Sequence, residues 1–137
     1  MPRGYCHRHG QQGPCTCSMG NLYRFVEPLV LYVLQTKGRS HGYDLAGELA
    51  GHALTDSGID APALYRTLRN LEQNGHVVSE WDTSQAGPAR RVYRLTESGR
   101  RHLGEWLVVL ERLTEGLERL TESIRQALSA DALPPAR

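Results

Sequence analysis

Cys6-His7-Arg8-His9, followed by Cys15-Thr16-Cys17, is the densest group of reactive side chains in this sequence. Thiolates and imidazoles are soft and borderline ligands, suited to zinc, to an iron–sulfur cluster or to another transition metal. Cys6, His9, Cys15 and Cys17 would supply four ligands over a short loop. His9 is preferred to His7 because it leaves more chain between ligands. The spacing is not that of a standard finger, since a Cys-x-Cys pair is less specific than paired Cys-x-x-Cys. All three cysteines fall within the first 17 residues, and an odd count argues against a disulfide framework in a reducing compartment. Metal binding, redox chemistry and an incidental cysteine-bearing tail stay open. A bound metal would either staple the tail to the first helix or be the signal sensed.

The other chemistry on offer is electrostatic. The formal net charge is +1, but its distribution is uneven: residues 61–101 carry seven arginines against four acids, whereas 102–137 carry four against six. A basic middle next to an acidic end suggests a local footprint for a polyanion. No nucleophile–base pair, phosphate-binding loop or carboxylate dyad is visible, so an enzyme is not expected. No run approaches ~18 apolar residues, and the N-terminus has no apolar signal core. The chain is expected in the cytoplasm, away from membranes.

The elements that must position these groups follow from hydrophobic spacing. Residues 1–21 have almost no aliphatic side chains and form a Cys/His-rich tail. Leu22, Phe25, Val26, Leu29, Val30, Val33 and Leu34 recur at helical spacing, giving a buried helix to about Thr36 with Pro28 in its first turn or at a kink. Ser40 is the expected N-cap of a second helix facing inward through Leu45, Ala46 and Leu49. Asp60 and Pro62 open a third, with Leu64, Leu68 and Leu71 as its core stripe. The period then changes to two: Val77–Trp81 and Arg91–Leu95 read as strands of a hairpin, with Trp81 as a core anchor. From Thr96-Glu97 a last helix carries Leu103, Leu107, Leu110, Leu113, Leu117, Leu120, Ile124 and Leu128. That stripe, over roughly six turns, exceeds what a small domain covers by itself, and a partner helix is its simplest burial. The expected fold is mainly α with a small β-hairpin wing: a winged helix-turn-helix plus a long C-terminal dimerisation helix. The expected division is 1–21 tail, 22–96 DNA-binding domain, 97–130 dimerisation helix and 131–137 frayed end.

Three stretches carry a resemblance. Ser40-His41-Gly42-Tyr43-Asp44-Leu45 is similar to the His-Gly-Tyr-Glu-Leu opening of the second helix in PadR-family regulators. Ala63-Leu64-Tyr65-Arg66-Thr67-Leu68-Arg69-Asn70-Leu71-Glu72 resembles that family's recognition helix, and Gly87-Pro88-Ala89-Arg90-Arg91-Val92-Tyr93-Arg94-Leu95-Thr96-Glu97-Ser98-Gly99 its wing and entry to the last helix. The resemblance implies a homodimeric repressor from the branch with one helix after the wing. The N-terminal cysteines and histidines depart from the family pattern.

On the third helix the expected outward positions are Pro62, Ala63, Arg66, Arg69 and Gln73, with Tyr65 alongside. Arg66 would fork to a guanine edge or clamp a phosphate, and Tyr65 would donate to a phosphate while its ring packs on the second helix. Arg90 and Arg91, at the wing, would reach backbone phosphates or a minor groove. His41 and Tyr43 start the second helix, where free amides favour a phosphate and Gly42 permits close approach. Trp106 would line an interface or, as in drug-binding members that the family resemblance brings in, a cavity between protomers. The expected partners are operator DNA, a second copy and a small-molecule or metal effector. A winged-helix protein-interaction adaptor with a structural metal and no DNA binding is the alternative.

Overall fold

A computed structural model describes residues 5–6, 11–12, 23–52, 54, 59–84 and 86–131. His9, Cys15 and Cys17 lie outside the described residues, as does the end from 132 to 137. Near the N-terminus, β1 (Tyr5–Cys6) pairs antiparallel with β2 (Gln11–Gln12). A short 3-10 turn at Tyr23–Phe25 leads into α1 (Val26–Lys37). Pro28 falls in the first turn of α1, where its missing N–H has no helical partner to lose. Val26, Val30, Leu31, Val33 and Leu34 are all buried, so α1 is apolar around most of its circumference and sits at the centre of the core.

The chain then does something its composition does not announce. Arg39–His41 forms a strand, β3, and the expected N-cap Ser40 lies within it, buried, its hydroxyl donating to the His41 carbonyl oxygen at 3.2 Å. The N-cap of α2 (Gly42–Ala50) is instead His41, in extended conformation and without a side-chain cap bond. Leu45 and Leu49 point into the core, but Ala46, expected inside, lies on the flank of that stripe and is exposed. The third helix, α3 (Ala61–Gln73), opens as its sequence dictates: Asp60 Oδ1 accepts from the Ala63 amide at 2.8 Å. Leu64, Leu68 and Leu71 complete the helical core.

Strands β4 (Val77–Asp82) and β5 (Arg90–Leu95) make the hairpin, and β5 is central in a three-stranded antiparallel sheet of order β3-β5-β4. Its register sets Ser40 and Ser79 on either side of Tyr93, and Trp81 opposite Arg91. Burial fades outward along β4, from buried Val77 to exposed Glu80 and Trp81. Trp81 is therefore no core anchor; at 62% exposed, it lies where the strand has run past the core.

The last helix is α4 (Glu97–Asp131). Thr96 caps it, accepting from the Gly99 amide at 3.0 Å and donating to the Gly75 carbonyl oxygen at 2.6 Å. Gly99 meets the turn after α3 so closely that a Cβ would sit 2.1 Å from the His76 carbonyl oxygen. His76 and His102 stack with ring centroids 4.2 Å apart, and His102 pairs with Glu27 of α1. The chain divides into compact units at Leu103 and Gly104. In the second unit, Leu107, Leu113, Leu117, Leu120, Ile124 and Leu128 are all exposed. No helix among the described residues is long and apolar enough to cross a membrane.

Candidate nucleic-acid interface

Three elements converge on a cleft of about 650 Å3: the start of α2 with His41, Gly42, Tyr43 and Asp44, α3 with Tyr65, and β5 with Arg90, Arg91 and Tyr93. Gly42 allows the convergence. A Cβ at that position would lie 2.8 Å from Tyr65 Cε1 and 3.0 Å from its hydroxyl, so the aromatic ring occupies the room a side chain would need. The close approach is made by Tyr65 of the same chain, with the ring packed on the second helix as expected. The α2 N-terminus adds the partial positive charge of its unpaired amides, which Asp44 in the first turn partly offsets.

The two wing arginines are held differently. Arg91 Nε donates to Ser79 Oγ at 2.9 Å, its guanidinium stands 5.2 Å from the Trp81 ring centroid, and Nη2 is 3.9 Å from Glu72 Oε1. Ser79 is anchored in turn, its hydroxyl and amide donating to Glu72 Oε2 at 2.6 and 3.1 Å. Arg91 is thus a cation fixed in direction by an aromatic face, a hydroxyl and a carboxylate of α3. Arg90, one residue earlier, is exposed and has no ion pair among the described residues. Tyr93 is largely buried beside them; burial pushes its phenol above the ordinary value, against the lowering effect of Arg91. The phenol stays protonated and available as a hydrogen-bond donor.

Along α3, Pro62, Tyr65, Arg66, Arg69 and Gln73 are exposed, making one polar, cationic face. Ala63 is not part of it. It is 2% exposed, because it lies one turn before half-buried Thr67 on the flank of the leucine stripe, which is wider than the leucines alone suggest. Tyr43, at the mouth of the cleft, is 80% exposed.

His41 is committed to protein partners. Its Nε2 lies 3.0 Å from Asp82 Oδ2, at the end of β4, and its Nδ1 lies 3.4 Å from Asp44 Oδ2. Asp82 Oδ1 accepts from the Ser84 hydroxyl and amide at 2.6 and 3.0 Å. Those Ser84 bonds, and then the His41 bond, hold the Asp82 carboxyl down at about 2. Asp82, Glu72, Ser79 and Tyr93 are the site residues that sequence reasoning missed. Glu72 alone left a sequence signal, three residues after Arg69 on the same helix.

Of the other expected site residues, Cys6 lies in β1, while its companions His9, Cys15 and Cys17 are outside the described residues. Among the described residues no group of three or more His, Cys, Asp or Glu side chains is placed to hold a metal ion. Leu103, Trp106 and Leu110 are half-buried, and Leu107, Leu113 and Leu117 are exposed.

Residues 30–105 match the transcriptional regulator PadR-like family. The Transcriptional regulator Rv3488 of Mycobacterium tuberculosis is 42% identical over 73 residues, which cover 53% of this chain and 64% of that regulator, just under two thirds of its length. A crystal structure of a PadR family transcriptional regulator from Eggerthella lenta is 35% identical, with a TM-score of 0.59 over 74% of this chain and 86% of that one. The crystal structure of TM0937, described as a potential transcriptional factor, is 32% identical, with a TM-score of 0.65 over 80% of this chain and 96% of that one.

Proposed function

The chain belongs to the PadR-like family of transcriptional regulators, and from that premise we propose that it is a homodimeric, sequence-specific DNA-binding repressor. Its α3 enters the major groove and its wing holds the adjoining backbone. The observation that carries this reading is the cleft in which Tyr43, Tyr65, Tyr93, Arg90 and Arg91 surround the start of α2, next to the exposed Arg66 and Arg69 face of α3. Hydroxyl donors, cations and helix amides together suit phosphate oxygens, while the α3 face is left to read base edges. Family members act as regulators and not as enzymes. The second copy covers the exposed leucines of α4 and brings two α3 helices to successive half-sites.

The input is proposed to be the N-terminal cluster of Cys6, His9, Cys15 and Cys17, through zinc, an iron–sulfur centre or thiol oxidation, with a small molecule near Trp106 as the competing input. Support for the cluster is the confinement of every cysteine to the first 17 residues. Metal content of anaerobically purified, untagged protein, compared with Cys15→Ser/Cys17→Ser, tests it; wild type without metal ends the metal reading.

The DNA reading is tested by enriching duplexes from a random pool and measuring affinity across salt concentration. The expected result is a recurring half-site and a log–log salt slope of about −0.9 for each phosphate contacted. A pool that stays random, with no salt-dependent binding, would point to the protein-interaction adaptor.

A further inference from the structure

We propose that His41 is a positioning residue: it ties the wing to the start of α2 through Asp82 and so fixes where Arg90 stands, without itself touching a phosphate. Both imidazole nitrogens face carboxylates, Asp82 at 3.0 Å and Asp44 at 3.4 Å, and the His41 side chain is 19% exposed. A ring held in this way has no nitrogen left over for a nucleic-acid oxygen. Asp82 is the residue through which the tie reaches the wing. One of its oxygens takes His41, and the other takes the amide and hydroxyl of Ser84, closing the first turn of the hairpin loop. Across the ladder, Asp82 is in register with Arg90.

The tie therefore joins three parts: the N-terminus of α2, the turn that starts the wing loop, and the cation on the opposite strand. A two-stranded tip extending past the core is otherwise held by its ladder and by the Arg91 contacts to Ser79, Trp81 and Glu72, none of which involves Asp82 or Ser84. Short ribbons of that kind open readily. Fixing the tip before an encounter reduces the ordering cost that binding would otherwise bear. The contact is charge-assisted, the strong class of hydrogen bond. The inference rests on the DNA-binding reading only for its affinity arm, since the tie exists in the free protein.

Amide hydrogen exchange on free protein reads the tie directly. In His41→Ala, the Ser84 amide and the β5 amides around Arg91 are expected to exchange about tenfold faster, with α1 amides unchanged. His41→Gln, whose side-chain amide can donate to Asp82, restores slow exchange. Affinity for an enriched duplex follows the same order, falling about three- to tenfold in His41→Ala with an unchanged salt slope and recovering in His41→Gln. Wild-type exchange in His41→Ala overturns the proposal; coupled with a slope reduced by about one unit, it would make His41 a phosphate ligand. Should His41→Ala fail to fold, Asp82→Ala removes the acceptor at the other end of the tie, and slow wing exchange there overturns it equally. A wild type that binds no duplex leaves the exchange arm to decide.

Discussion

Gly42 and the ring of Tyr65 compete for the same volume: the missing Cβ of one is 2.8 Å from Cε1 of the other. Gly42→Ala must push the ring aside in the cleft that Tyr65 lines together with Arg90 and Arg91. The expected cost in stability is about 1–3 kcal/mol, from overpacking. Most of it should vanish in Gly42→Ala/Tyr65→Ala, because the second change removes the atoms the first collides with. Additive losses in urea unfolding of the two single variants and the double would show that the ring is not held there.

Arg66 and the wing arginines should fail in different ways. Arg66→Ala is expected to lose about 1–3 kcal/mol of discrimination between the preferred duplex and random DNA. Arg90→Ala/Arg91→Ala should weaken binding to all duplexes and flatten the salt slope by about one or two units. Equal losses on specific and random DNA in Arg66→Ala would make that side chain a phosphate contact.

Gly99 and Gly104 stand five residues apart on α4, yet they should respond oppositely to alanine. At Gly99 a methyl meets the His76 backbone carbonyl at 2.1 Å, an atom that cannot swing aside. Gly99→Ala is expected to destabilise by about 3 kcal/mol or more through forced backbone displacement. Gly104 has nothing within 4 Å, and alanine there should stabilise the helix by roughly 0.5–1 kcal/mol. Denaturation midpoints of the two variants on the same side of wild type would contradict this.

Asp82 gives the wing an acid limit. Its folded carboxyl is held at about 2, below its ordinary value of 3.8, by Ser84 and then by His41. A depressed carboxylate contributes stability that is complete above the ordinary value and is lost as pH falls towards the folded one. The wing should therefore loosen between about pH 4 and pH 2, with no contribution from this carboxyl to any change nearer neutral pH. Carbon-detected titration of the Asp82 carboxyl is expected to show the low midpoint, and Ser84→Ala should raise it. A midpoint at the ordinary value in wild type would rule out the hydrogen bonds described.

Leu110→Glu/Leu117→Glu places charges on the apolar stripe of α4, where Leu117 is exposed and Leu110 half-buried in a single chain. Sedimentation should change from a dimer to a monomer or to insoluble protein, with loss of binding to paired half-sites. A soluble variant sedimenting as wild type does would mean that the stripe packs within one protomer.

The helices were legible because leucines at steps of three and four leave little choice of face, and Asp60 with Pro62 marks a start that few other structures would use. The hairpin was legible from Arg91-Val92-Tyr93-Arg94-Leu95. What escaped was decided at long range. Arg39-Ser40-His41 is too short to show a strand period, and its pairing partner lies on the far side of α2 and α3. Trp81 reads as core by type, yet the strand carries it beyond the helices. Ala63 reads as surface by its neighbours, while its methyl is small enough to extend the buried face by one position. The three cationic positions Arg66, Arg90 and Arg91 were visible as charges, but the pinning of Arg91 depended on Trp81, Ser79 and Glu72 meeting around it.

The three-residue strand β3 bears on how this protein folds. By pairing with β5, it stitches the link between α1 and α2 to the hairpin, with both intervening helices inside the closed loop. Closing that loop is entropically costly, and the contacts that close it join residues from the two ends of the unit. A fragment ending at Gln73 would keep the three helices but leave β3 as an unpaired edge and uncover the part of α1 that packs on β5. The helical trio is therefore not a minimal module: the smallest autonomously folding piece should extend through β5, and melting of that piece should be a single transition.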